Sequence, residues 1–126
     1  MFSLDSVAKQ ALLDNGFAPD LDDAARRELE GLKPAPRTPD VRDLRSLLWS
    51  SIDNTESRDL DQVEVAEQLP DGAIRVRLGI ADVDALVPKD SALDRHAHAN
   101  ATSVYTGVEV YPMLPERLST DRKSVV

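Results

Sequence analysis

Residues 63–80 read VEVAEQLPDGAIRVRLGI, and the pattern of this stretch decides the fold that we predict. Before the turn, Val63 and Val65 alternate with polar residues. After it, the aliphatic residues at even positions from 74 to 80 alternate with arginine and glycine. Alternation with a period of two is typical of a strand that buries one face. The sequence Pro70-Asp71-Gly72 between the two runs indicates a tight turn near Asp71. We therefore predict an antiparallel β-hairpin.

The residues just before the hairpin, 51–62, read SIDNTESRDLDQ and carry four acids, Asp53, Glu56, Asp59 and Asp61. Crowded carboxylates raise the cost of ionising one another, and a bound divalent cation removes that cost. Asp59 and Asp61 are two residues apart, so in an extended backbone their side chains point to the same face. Asp53 lies across a short polar loop and is able to fold back toward them. The spacing suggests a cation site, although on spacing alone a solvated polar turn is the simpler interpretation.

The hairpin also brings a further carboxylate toward this acidic stretch. Folding the chain about a turn near Asp71 places Asp61 roughly opposite Asp82. This placement depends on the register, because a slip of one residue turns a strand side chain to the other face.

Helical periodicity dominates the N-terminal third of the chain. Apolar residues at positions 4, 7, 8, 11 and 12 predict a helix between Ser3 and Gly16, and a second helix is expected from Asp20 to Gly31. Prolines then follow in residues 33–39 and end the helical pattern. We predict an α+β fold: an N-terminal helical hairpin with its linker over residues 1–39, then the β-hairpin and short helices, including one over residues 91–101.

Composition limits the class of protein. The chain has 126 residues, a net charge of −8 and no cysteine. This length fits one small domain, and the lack of cysteine excludes disulfides and thiolate zinc sites and suits a reducing compartment. A negative net charge is unusual for a nucleic-acid binder, so metal ions or further chain would have to supply cations. Because no stretch is typical of a membrane span or a signal peptide, we expect a cytoplasmic protein, and we expect a monomer.

Four blocks of sequence, in this order, resemble the start of the catalytic RNB domain of the ribonuclease II and ribonuclease R family. They are SIDNTESRDLD at 51–61, IADV at 80–83, TSVY at 102–105 and PMLPERLS at 112–119. The resemblance implies a partial RNB catalytic domain over residues 40–121. Residues 121–126 depart from the family pattern and match the translation of a common sequencing adapter. We therefore expect residues 122–126 to be a non-native tail on a truncated chain.

The resemblance also implies a function. Members of this family hydrolyse single-stranded RNA from the 3′ end to nucleoside monophosphates with Mg²⁺, which implies a two-metal mechanism. It implies metal ligation by Asp53, Asp59 and Asp61, with Asp59 and Asp61 as catalytic residues. Tyr105 matches an aromatic residue that stacks on a base, whereas on periodicity alone it is a half-buried strand residue. The partner implied is single-stranded RNA, and no preference for DNA or membrane is expected.

Two departures from the family pattern qualify this prediction. Gln62 stands where the family motif has a further aspartate, and its amide carries no charge, so metal affinity should drop. Asp82 or another carboxylate then substitutes, or the metal occupancy is altered, or the site is impaired. The alternative function is a non-catalytic RNA-binding or regulatory remnant. Family domains also run for several hundred residues, so we expect little or no activity from the 126-residue chain alone.

Overall fold

The computed structural model describes residues 3–33, 40–55 and 61–119 of the chain. Helices and antiparallel strands occur together, which confirms the predicted α+β class. The elements, in chain order, are α1 (Leu4–Asp14), α2 (Asp23–Gly31), β1 (Gln62–Gln68), β2 (Ile74–Ile80), a short 3-10 helix (Val83–Ala85), α3 (Ala92–Asn100), β3 (Val104–Tyr105), β4 (Val110–Tyr111) and α4 (Glu116–Ser119). In this described part of the chain, no helix is long and apolar enough to cross a membrane.

The first two helices begin and end close to the predicted residues. Gly16 follows α1 with φ +82°, a left-handed conformation that glycine adopts without a steric penalty. At the start of α2, the carboxylate of Asp22 accepts a hydrogen bond of 2.7 Å from the backbone N–H of Ala25. Such caps satisfy N–H groups that have no partner inside the helix. Local sequence signals therefore account for both helices.

The predicted β-hairpin is present, with its turn at the predicted place. Gly72 has φ +85°, and the side chain of Asp71 accepts a hydrogen bond from the Ala73 backbone N–H at 3.0 Å. β1 runs antiparallel to β2, with Gln62 opposite Ile80 at the open end. This register divides β2 into an apolar face of four aliphatic residues and a polar face, which holds Arg75, Arg77 and Gly79 and is shared with Val63, Val65 and Glu67 of β1.

The polar face of the hairpin carries its ion pairs. One oxygen of Glu67, Oε1, accepts hydrogen bonds from Arg75 at 2.9 Å and from Arg77 at 2.6 Å. Farther along the same face, a Cβ atom at Gly79 would lie only 3.0 Å from the Val63 side chain and 3.8 Å from the Trp49 ring. These ion pairs and this close approach therefore account for the arginine and glycine residues of β2.

The opposite face of β2 is apolar and exposed. Strand alternation normally places such residues in a core. In the part of the chain that the structure describes, however, their side chains are 59–76% exposed. We call these four residues the apolar face: Ile74, Val76, Leu78 and Ile80.

The buried core lies between helices. α2 packs against α3, and the side chains of Ala25 and Leu93 are fully buried between them. Val87 and Leu118 complete the buried cluster. This core combines residues from both sides of the predicted boundary at residue 39, while the domain limits themselves stay a prediction.

Polar contacts also connect the N-terminal helices to α3 and α4. The carboxylate of Glu28 accepts hydrogen bonds from the first backbone N–H groups of α3, at Ala92 (2.7 Å) and at the next residue (3.3 Å). The buried side chain of Asn100 both donates to and accepts from the backbone of Ala18. Arg117 donates to backbone carbonyls at the end of α2. The helical part is thus joined by directional bonds as well as by apolar packing.

The C-terminal part of the described chain contains one element that the sequence analysis missed. Within residues 102–111, β3 and β4 pair with each other. Residues 112–115, which contain two prolines, are not helical, and α4 follows them and places Leu118 in the core. A helix of four residues is too short to produce a periodic apolar pattern, which explains the omission.

Candidate functional site

The acidic stretch begins and ends at one place on the hairpin. Ser50 forms an isolated antiparallel bridge with Glu64 of β1: the Ser50 N–H donates to the Glu64 carbonyl at 2.9 Å, and the reverse bond is 2.8 Å. The chain therefore leaves the sheet at Ser50 and returns to it beside the same residue. Asp53 and Asp61 each lie three residues from this bridge, on its two arms. Both belong to the open end of the hairpin, which we call the acidic end.

Asp82 belongs to the same end, but the predicted pairing was wrong by one residue. The backbone N–H of Ala81 donates to the Asp61 carbonyl at 2.9 Å, so Asp61 lies opposite Ala81 rather than Asp82. The physical reason is the pairing of Gln62 with Ile80, which fixes the register one step from the predicted one. Since adjacent strand side chains point to opposite faces, Asp61 and Asp82 are not a directly opposed pair.

The carboxylates at the acidic end have no cationic partner in the part of the chain that is described. Asp53, Asp61 and Asp82 are exposed and form no ion pair or side-chain hydrogen bond with residues 3–33, 40–55 or 61–119. Elsewhere the arrangement differs: hydrogen bonds from Arg45 hold the pKa of Asp43 well below its usual range. Among the described residues, no side chain neutralises the negative charge at the acidic end.

The donor atoms at the acidic end fit a hard cation. Mg²⁺ prefers oxygen ligands, and Asp53 and Asp61 offer exposed carboxylate oxygens. Within the described ranges, no three acidic or histidine side chains come together in a group able to hold a metal ion. Asp59 lies outside the described residues, so the predicted ligand set of Asp53, Asp59 and Asp61 stays a prediction.

Gln62 and Tyr105 occupy accessible positions. Gln62 is the first residue of β1 and is exposed next to the acidic end. Tyr105 lies in β3 and is 73% exposed. The interpretation of Tyr105 as a half-buried strand aromatic is therefore wrong for the described part of the molecule. An exposed ring has a face available for stacking on a base. Such stacking needs no sequence readout.

The bridge at Ser50, which organises the acidic end, was not predicted from the sequence. Its two backbone hydrogen bonds to Glu64 hold the arms of the acidic stretch side by side. A single bridge produces no alternating pattern, so no sequence signal pointed to it.

Comparison with known proteins identifies the family. Residues 41–126 match the family model described as the RNB domain. The chain belongs to the RNB domain family. Among its relatives, ribonuclease R of Vibrio parahaemolyticus is 46% identical over 77 residues, which are 61% of this chain and 9% of that protein. DIS3-like exonuclease 2 of Xenopus tropicalis is also 46% identical over 77 residues, with the same two shares.

Solved structures of an RNB relative share the fold. Mycoplasma genitalium RNase R in complex with double-stranded RNA has a TM-score of 0.76 and 30% identity, covering 92% of this chain and 21% of that chain. Its complex with ribose-methylated single-stranded RNA has a TM-score of 0.75 and 29% identity, covering 92% and 18%. This coverage exceeds residues 41–126, so it includes part of the N-terminal helical segment. The chain thus spans about a tenth to a fifth of these relatives, which are named ribonuclease R and DIS3-like exonuclease 2.

Proposed function

We propose that this chain forms the start of the catalytic domain of a magnesium-dependent 3′→5′ exoribonuclease that hydrolyses single-stranded RNA to nucleoside monophosphates. The observation that carries the proposal is the coincidence of the RNB match over residues 41–126 with exposed carboxylates at the acidic end that form no ion pair with a described residue. Solved complexes of M. genitalium RNase R with RNA support the choice of substrate class.

The carboxylates supply the charge that this chemistry needs. Asp53 and Asp61, together with Asp59, would hold two magnesium ions, and Asp59 and Asp61 would be the catalytic residues. When bound, the ions supply activation of the attacking water and stabilisation of the leaving oxygen. Asp53 and Asp61 have no ion pair with a described residue, so no side-chain cation in the described ranges would have to be displaced for metal to bind.

Tyr105 would bind RNA rather than metal. Its exposed ring offers a flat surface to a base near the cleaved end, and stacking of this kind typically contributes ~1–3 kcal/mol per base. Because stacking does not distinguish one base from another, it suits an enzyme that degrades RNA of any sequence.

A second candidate function follows from Gln62. This residue stands at a position where the family motif has an aspartate, and its neutral amide reduces the negative charge at the acidic end. The chain would then belong to a non-catalytic RNA-binding or regulatory remnant of the family. Asp82, which lies at the same end, is the described carboxylate best placed to compensate.

The test uses a chimera in which this chain replaces its matched segment in M. genitalium RNase R. The measurement is magnesium-dependent release of nucleoside monophosphates from a uniformly labelled single-stranded RNA. We expect digestion by the chimera, and a loss of at least about a hundredfold in Asp61→Asn, which keeps the shape but removes the charge. Tyr105→Ala should weaken RNA binding about tenfold, which corresponds to the lower part of the stacking range.

Asp71→Asn is the matched control, because it makes the same change at the opposite end of the hairpin. Its amide oxygen is still able to accept the hydrogen bond from Ala73, so digestion should stay unchanged. A chimera that binds RNA but digests it no faster than its Asp61→Asn variant would favour the non-catalytic remnant. Recovery of digestion in Gln62→Asp would then assign the defect to that amide. The 126-residue chain alone should show little or no digestion, and robust metal-dependent digestion by it would contradict this expectation.

A further inference from the structure

The apolar face of β2 leaves large aliphatic side chains exposed to solvent in the described part of the molecule. Its four aliphatic side chains, at positions 74, 76, 78 and 80, are 59–76% exposed and follow one another along a single strand. None of them belongs to the buried core or packs against it. Contiguous apolar surface of this kind marks an interface, whereas isolated exposed hydrophobic residues do not.

The strand also lacks a neighbour on one side. β1 is flanked by β2 and, through Ser50, by the segment before the acidic stretch. β2 has β1 as its partner in a sheet of two strands, so its outer edge is free within the described ranges. A two-stranded hairpin is marginally stable alone, and an open edge beside an apolar face favours the addition of further chain.

We propose that the apolar face is an internal interface of the complete RNB domain, covered by a segment that the longer relatives have and this chain does not. The relatives have room for such a segment, because this chain covers 9% of the Vibrio ribonuclease R and 21% of the M. genitalium chain. This inference depends on family membership and not on catalysis.

The charges near the face argue against a second copy as the occupant. Glu64 lies opposite Leu78 on the same face, and the exposed carboxylates of Asp61 and Asp82 stand at one end of it. Two copies of a chain with net charge −8 would bring such groups together, and juxtaposed like charges disfavour association. The occupant that fits this surface presents apolar side chains to the four aliphatic residues of β2.

The absence of cysteine in the sequence gives a direct test. Val76→Cys and Leu78→Cys place a thiol on the apolar face, and Arg75→Cys places one on the opposite face of the same strand. The rate of alkylation at each thiol is measured by peptide mass spectrometry in the 126-residue chain and in the chimera. We expect alkylation at positions 76 and 78 to be at least about tenfold slower in the chimera, with position 75 changed less than about twofold.

Three outcomes overturn the proposal. Equal rates in the chain and in the chimera would leave the face uncovered, and equal slowing at positions 75 and 76 would show burial of the whole hairpin. Slowing in the chain alone at high concentration, with a dimer mass by light scattering, would assign the face to a second copy.

If circular dichroism shows that the chimera does not fold, the chain is mixed with the remaining M. genitalium polypeptide. Slower alkylation at position 78 in that mixture supports the proposal, and an unchanged rate contradicts it.

Discussion

The helical part and the β-hairpin of this molecule use similar apolar residues in opposite ways. In the helical part, Leu93 is completely buried, and Glu28 and Asn100 add hydrogen bonds across the same packing. In the hairpin, Leu78 is an equally apolar residue in an equally regular element, yet 69% of it is exposed. The difference shows that a regular pattern determines which element forms, whereas burial requires a second surface within reach.

The largest expected effect is the difference in the free energy of unfolding between alanine variants of these two leucines. Leu93→Ala should lower the free energy of unfolding by ~2–5 kcal/mol, because it removes buried methyl groups and leaves a cavity. Leu78→Ala, the same substitution on the apolar face, should change the free energy of unfolding by less than about 0.5 kcal/mol. Urea unfolding of the 126-residue chain, followed by circular dichroism, measures both. Equal losses would mean that the face is already covered in the isolated chain, and the contrast between the two regions would disappear.

A smaller effect is expected at the polar contact between α2 and α3. Glu28→Ala leaves the backbone N–H groups of Ala92 and Leu93 without their carboxylate acceptor. An unsatisfied donor of this kind costs ~1–3 kcal/mol, so unfolding should become easier by an amount in that range. Glu30→Ala is the matched control on the same helix, since the Glu30 side chain is exposed and forms no hydrogen bond or ion pair with a described residue of α3. Identical denaturation midpoints for the two variants would contradict a role for the Glu28 contact.

The smallest effect is a pH dependence confined to the hairpin. The hydrogen bond from Arg77, with help from Arg75, lowers the pKa of Glu67. Because the folded pKa lies below the unfolded one, this stabilisation is present above the unfolded pKa and is lost as the pH falls through the folded pKa. Hairpin amides should therefore exchange faster with solvent as the pH is lowered below about 4, after correction for intrinsic exchange rates. Glu67→Gln should flatten this response, whereas Glu30→Gln should keep it. An unchanged profile in Glu67→Gln would remove the ion pair from the account of hairpin stability.

Local signals in the sequence predicted the elements well. Helix ends at Gly16 and Gly31, the hairpin and its turn at Asp71 all follow from residue types that act over a few positions. The exceptions involve longer-range pairing. The register between Asp61 and Asp82 was missed by one residue, because it depends on hydrogen bonds along the whole ladder rather than on the turn alone.

The candidate site was less accessible to prediction than the fold. The acidic residues could be recognised from their crowding, but the bridge at Ser50 that joins the arms of the acidic stretch leaves no trace in the pattern. The exposure of Tyr105 also depends on what packs against β3, which strand periodicity does not encode. The distances among Asp53, Asp59 and Asp61 do not follow from the fold, because Asp59 lies outside the described ranges.

The contact between Glu28 and the start of α3 bears on how this protein can be shortened. The family match begins at residue 41, which suggests a natural place to trim the gene for expression. Cutting there would remove the carboxylate that caps α3 and the Ala25 side chain that fills the space beside Leu93. Any shortened version that is meant to fold should therefore start upstream of Asp22, even though those residues precede the matched segment.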